Sequence, residues 1–140
     1  MDRTRQSFRR IALALACLLA ACGKDSTGPS INPVGSWSGS TSQGRPISFQ
    51  VTSGGITTAA ISWHLSGTVC SYDADASISG GSPLPVTNNA FSASSLPIGS
   101  DTFLSVTGRF TSSTAASGTF QITDTFCGGT LNGTWSATKS

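Results

Sequence analysis

From residue 34 to the C-terminus, apolar and polar side chains alternate with a period of two. Ile47, Phe49 and Val51 alternate with Ser48, Gln50 and Thr52, and Ile61, Trp63 and Leu65 alternate with Ser62, His64 and Ser66. Leu104, Val106, Gly108 and Phe110 alternate with Ser105, Thr107, Arg109 and Thr111. Gly118, Phe120 and Ile122 do the same with Thr119, Gln121 and Thr123. In the last run Cys127, Gly129, Leu131, Gly133, Trp135 and Ala137 share one parity, and Thr130, Asn132, Thr134, Ser136 and Thr138 share the other. Successive side chains of a strand point to opposite faces, so each run predicts a β-strand with one buried and one wetted face. Further strands are expected around 35–41, 74–79 and 90–94. Turn residues such as Ser53-Gly54-Gly55 separate the runs. The stretch 80–89 holds Gly80-Gly81, Pro83, Pro85 and Asn88-Asn89, and is expected to be a loop or a broken edge strand.

Seven or eight strands with short links predict an all-β fold: an antiparallel meander closed as a small barrel, with a β-sandwich as the alternative. Composition agrees, because good helix formers are scarce after residue 22 and Glu is absent altogether. Gly-Ser-Trp at 35–37 and Gly-Thr-Trp at 133–135 stand at the two ends of the domain. They predict that the first and last strands are neighbours, each turning an indole inward beside glycine.

The first ten residues carry Arg3, Arg5, Arg9 and Arg10, and residues 11–21 are an unbroken apolar run. A basic opening followed by an apolar stretch of this length reads as a secretory signal peptide. The run is too short to span a bilayer, which takes roughly 20 apolar residues. Leu19-Ala20-Ala21-Cys22 closes it and resembles the lipobox of bacterial lipoproteins. That resemblance implies cleavage before Cys22 and lipidation of its thiol and freed amine; the alternative is an ordinary signal peptide cut nearby. More than one acyl chain gives stable anchoring. The Arg9-Arg10 pair fits a twin-arginine signal poorly, which favours the general secretion route. Gly23, standing where an aspartate would retain a lipoprotein at the inner membrane, favours the outer membrane. The expected organisation is therefore 1–21 signal peptide, 22–33 lipidated flexible tether rich in Gly, Pro and Ser, and 34–140 a single β domain.

The chain has 8 basic and 6 acidic residues, net +2. The leader holds four of the basic and one of the acidic residues, so from Cys22 onward four basic and five acidic residues remain and the net charge is −1. No basic patch survives to attract nucleic acid. With Cys17 in the leader and Cys22 as the anchor, Cys70 and Cys127 remain as an expected disulfide in an oxidising compartment.

Catalytic chemistry is sparse. His64 is the only histidine and sits on the polar face between Ser62 and Ser66, so an exposed sheet histidine is expected. A serine triad needs an oriented base, and no Gly-X-Ser-X-Gly elbow is present. Asp73 and Asp75 share a parity, yet no loop supplies the six to eight oxygens calcium takes; a solvated turn after Cys70 is expected. Asp101 and Asp124 are expected at strand ends. Two cysteines and one histidine are too few for a zinc site. No metal, no cofactor and no catalytic residue are expected. Trp37, Trp63 and Trp135 share the inward parity, either as core filling or as the lining of a low-polarity ligand pocket. Phe103 has the outward parity and is expected under the 80–100 segment or in a contact patch. Asn132-Gly133-Thr134 matches a glycosylation sequon, read here as an accident of a Thr-rich strand.

The Gly-X-Trp opening followed by a β meander resembles the avidin and lipocalin type of small barrel, and the small barrel inhibitors of bacterial metalloproteases. Gly-X-Trp, two cysteines and a Trp-Ser-Ala end also resemble the Ser/Thr/Gly-rich domains of uncharacterised bacterial lipoproteins. The resemblances imply a lipid-anchored cell-envelope β domain that acts as a binding or structural module and not as an enzyme. The alternative is a carrier of a small apolar ligand or a periplasmic protease inhibitor. The expected partners are the membrane, through the lipid, and an envelope protein or small apolar ligand.

Overall fold

The structure, a computed structural model, describes residues 30–140. The leader 1–21, Cys22 and most of the 22–33 tether lie outside the described residues. Eight strands follow in order: β1 (Gly35–Thr41), β2 (Pro46–Thr52), β3 (Gly55–Ser66), β4 (Ser71–Leu84), β5 (Ala90–Pro97), β6 (Thr102–Phe110), β7 (Ala115–Asp124) and β8 (Gly129–Lys139). They form one antiparallel sheet in the order β4-β3-β2-β1-β8-β7-β6-β5. The first and last strands pair, Trp37 opposite Lys139 and Thr41 opposite Trp135. The sheet curls into a nearly closed barrel whose two edges, β4 and β5, meet at a seam without a hydrogen-bonded ladder.

The turns follow from local chemistry. Asn88 and Asn89 both have positive φ, 52° and 60°, and Thr87 and Ala90 exchange backbone hydrogen bonds of 2.9 and 3.0 Å around them. A two-residue turn with both central residues left-handed matches strand twist, and asparagine tolerates that conformation better than most residues. β4 and β5 therefore stay linked at one end of the seam although they do not pair along it.

The inward parity builds the core. Trp37, Phe49, Phe91, Phe110 and Trp135 form one aromatic cluster with ring centroids 5.0–6.2 Å apart. Offset and edge-on pairs at this spacing add to the area they bury. Two indole N–H groups are satisfied by backbone: Trp37 Nε1 donates to Pro33 O at 2.8 Å and Trp135 Nε1 to Thr107 O at 3.1 Å. Contacts to the barrel thus begin before β1. Ile31 packs on the core, and Lys139 Nζ donates to Asn32 O at 2.8 Å.

Three strands run differently from the sequence expectation. β3 begins at Gly55, ahead of the alternating run 61–66, and an extra residue at Thr57 breaks the alternation between Ile56 and Thr58. β4 starts directly after Cys70, so Asp73 and Asp75 lie on a strand and not in a turn. Its far part is the broken edge strand: Ile56 pairs with Leu84 but Thr58 with Ser79, and Gly80 and Gly81 absorb the excess at φ of 78° and 85°. β5 runs to Pro97 through a bulge at Ser94-Ser95, where Ser95 N donates to Ser105 Oγ at 3.0 Å.

Candidate functional site

The inner face of β4 carries Tyr72, Ala74, Ala76 and Ile78, all half-buried. Ala76 fills little volume at its inward position, and β5 does not pair across to cover it. The result is a cavity of about 260 Å³ inside the barrel beside the seam. Its wall is Ile47 and Phe49 of β2, Ile56 and Ile61 of β3, Ala76, Ile78 and Leu84 of β4, Phe91 and Leu96 of β5, Leu104 and Val106 of β6, and Trp135 of β8. Its polar side chains are Thr57, Thr58 and Ser82. An engineered apolar cavity of about 150 Å³ stays dry and binds benzene, so this volume suits a small apolar molecule.

The Cys70–Cys127 disulfide lies at one end of the barrel. The Cα atoms of the pair are 5.3 Å apart, and the bond joins the β3–β4 turn to the β7–β8 turn. A Cβ at Gly67 would stand 2.4 Å from Cys127 O, so this approach requires glycine. Beside the disulfide, the buried Asp124 carboxylate collects donors. Cys127 N donates to Oδ1 at 2.7 Å, while Oδ2 accepts from the Tyr72 hydroxyl and from Thr102 Oγ1 at 3.2 Å. The Cys127 N–H and then the Tyr72 hydroxyl hold the Asp124 carboxyl below the usual carboxylate range. Burial, and then the carboxylate itself, push the Tyr72 hydroxyl upward.

A polar cluster lies on the outer face of β3 and β4. His64 Nδ1 is 2.8 Å from Asp73 Oδ1, and His64 Nε2 is 3.2 Å from Ser71 Oγ and 3.4 Å from Ser66 Oγ. Arg45 pairs with the same Asp73 oxygen. The His64 hydrogen bond and then Arg45 lower the Asp73 carboxyl from its ordinary value. Gln43 brackets the His64 backbone, accepting from its N–H at 2.9 Å and donating to its carbonyl at 2.8 Å. Ser71, His64 and Asp73 are thus in triad sequence, yet the His64 and Asp73 side chains are 43% and 64% exposed.

No family model, curated protein or solved structure matches this chain.

The residues singled out from sequence fall into separate places. Trp37, Trp63 and Trp135 are 1%, 3% and 3% exposed and belong to the core; of the three, Trp135 alone borders the cavity. The Trp63 Nε1 is buried without a hydrogen-bond partner. Phe103 is half-buried on the outer face, paired in register with Pro97 and Thr123. Asp101 is exposed, and its carbonyl accepts from Thr125 N at 2.9 Å. Asn132 faces outward and accepts from Gln121 Nε2 at 2.8 Å. Sequence reasoning missed Tyr72 and the aliphatic wall of the cavity. The only local signal for the Asp124 site was the turn Asp124-Thr125-Phe126-Cys127, in which an aspartate accepts from the backbone N–H three residues on.

Proposed function

We propose that this chain is a lipid-anchored module of the bacterial cell envelope whose barrel binds a small apolar ligand, without catalysing its conversion. The cavity beside the seam carries this reading: its wall is chiefly aliphatic and aromatic, with Thr57, Thr58 and Ser82 its polar side chains. Concave apolar sites in the interior of small barrels are ordinary ligand sites. The basic leader and the Leu19-Ala20-Ala21-Cys22 run support the anchor, Gly23 after the cysteine supports the outer-membrane preference, and a Cys70–Cys127 disulfide accords with an oxidising compartment.

The test is titration with naphthalene, followed by methyl chemical shifts. The expected shifts are confined to Ala76, Ile78, Leu104 and their neighbours. Ala76→Phe, which fills the cavity, is expected to weaken binding at least about tenfold, the loss expected when apolar burial of roughly 50 Å² or more is denied to the ligand. Ser77→Phe, on the opposite face of the same strand, leaves it unchanged. Shifts scattered over the surface, or none, would remove the proposal.

One observation favours a second reading. Ser71, His64 and Asp73 have the spacing of a hydrolytic triad, which is recognised by geometry and not by sequence order. Against it stand the exposure of the group, the competing Ser66 hydroxyl on the same imidazole nitrogen, and a position outside the cavity wall. An activated serine is trapped covalently by a fluorophosphonate. The expected result is no labelling of Ser71 above the level seen with His64→Ala; labelling that the variant abolishes would show an activated serine nucleophile and favour the hydrolase reading.

A further inference from the structure

Neighbouring strands of an antiparallel meander run in opposite directions, so each connection lies at one end of the barrel or the other. The β1–β2, β3–β4, β5–β6 and β7–β8 turns share the end that carries the disulfide. The β2–β3, β4–β5 and β6–β7 turns share the opposite end. The chain enters the barrel at that second end, where Ile31 packs on the core and Pro33 O accepts from Trp37 Nε1. An acylated Cys22 is nine residues from Ile31, a span of at most about 30 Å. Strands of nine to eleven residues, rising roughly 3.3 Å per residue, make the barrel about as tall as that tether is long. Only a fully stretched tether would let the barrel turn its other end to the bilayer.

Charge is divided between the two ends. Asp73, Asp75, Asp101 and Asp124, all the described aspartates, belong to the disulfide half, with Arg45 paired to Asp73. Arg109, next to last in β6, and Lys139, last in β8, are the described cations of the entry end, where the Ser140 carboxylate is the one anion. An anionic lipid surface attracts the entry end and repels the other. Val69 and Phe126 are the most exposed large apolar side chains, but they stand in the half that holds the aspartates.

The cavity is lopsided along the same axis. Thr58, Gly80, Ser82, Pro83 and Pro85 line it and are themselves exposed. All five lie toward the entry end: Ile56 pairs with Leu84 just past the β2–β3 turn, and a Cβ on Gly54 of that turn would stand 3.7 Å from Pro83. Val34, 45% exposed, adds an apolar side chain at this end.

We propose that the entry end of the barrel docks on an anionic bilayer surface, turning the exposed wall of the cavity toward the lipid. This rests on the lipid-anchored reading above and adds the face that the barrel presents to the membrane.

The experiment places the lipidated full chain in phosphatidylglycerol nanodiscs that contain a gadolinium-headgroup lipid, and reads the broadening of backbone amide signals. Gly54, Thr87 and Ser112 are expected to broaden, and Thr68, Gly99 and Phe126 to stay sharp. Arg109→Gln is expected to lower the docked population about fivefold, the equivalent of about 1 kcal/mol for one cation at an anionic surface. Asp101→Asn leaves it unchanged. Equal broadening at both ends, or broadening confined to the disulfide end, would overturn the proposal. So would an entry-end pattern that is identical in phosphatidylcholine discs and in Arg109→Gln, because the tether alone would then produce it. Protein that stays out of the discs and lacks lipid mass on Cys22 would overturn the anchored reading itself.

Discussion

Reducing the Cys70–Cys127 disulfide is expected to lower the free energy of unfolding by about 4 kcal/mol, the loop-closure entropy returned to an unfolded chain when a crosslink across 57 residues is removed. A domain of this size is stable by roughly 5–15 kcal/mol in total, so the loss takes a large share. Its position sharpens the expectation. β4 is an edge strand that pairs with β3 alone, because the seam supplies no second ladder. The disulfide fixes the start of β4 to the β7–β8 turn, on the far side of the sheet order. Val69 N donates to Cys127 O at 3.2 Å across the same junction. Urea unfolding with and without reductant measures the global term. Amide exchange measures the local one: protection should fall first in β3 and β4, and last in β6 and β7. Uniform loss across all strands would mean that the bond acts only through the unfolded state. A shift below about 1 kcal/mol would mean that the β3–β4 hairpin is held by packing alone.

The parts of the fold legible in the sequence are those where one rule ran without interruption. β6, β7 and β8 keep strict alternation for nine to eleven residues, and the core residues Leu104, Phe120, Ile122 and Trp135 follow from parity. The pairing of β1 with β8 was legible from the matched Gly-X-Trp ends. Strands that carry a bulge were legible only in part. Thr57, Gly80-Gly81 and Ser94-Ser95 each shift the parity, so a period-two pattern loses phase there. The cavity was illegible for a different reason. It arises from volume that Ala76 does not fill and from an edge that β5 does not cover, neither of which is a pattern along the chain. The placement of the tryptophans shows the same limit: parity sent all three inward but could not say that only Trp135 would border empty space. The Tyr72–Asp124 contact joins residues 52 apart, and the inward parity of Tyr72 is that of any buried aromatic. His64 was legible as a surface residue, and its partners were not, since Ser71 and Asp73 meet it only through the β3–β4 register.

Asp124→Ala is expected to cost about 3–4 kcal/mol, because the carboxylate accepts three hydrogen bonds and a bond to a charged group contributes about 1.5–3 kcal/mol where it is well made. Alanine leaves the Cys127 N–H and the Tyr72 and Thr102 hydroxyls without their acceptor. Asp124→Asn keeps the shape and one acceptor oxygen, so a cost of about 1–2 kcal/mol is expected, with Tyr72→Phe similar. The ionised form also makes stability depend on pH. The folded-state pKa of Asp124 is lowered, so its contribution is complete above the unfolded value near 3.9 and is lost as the pH falls through the folded value. Asp73 titrates in the same sense from the exposed face, and the variant Asp73→Asn separates the two slopes. At the other extreme Tyr72 has a raised pKa, so its contribution holds below about pH 10 and is lost as the pH rises through the folded value. Wild-type stability should therefore form a plateau through neutral pH and fall at both ends. Asp124→Asn should be lower on the plateau and shallower on the acid side, in denaturant midpoints taken from pH 2 to 11. An unchanged acid limb in Asp124→Asn would assign the acid sensitivity to the surface cluster around Asp73 and remove Asp124 as the electrostatic tie between β4, β6 and the disulfide turn.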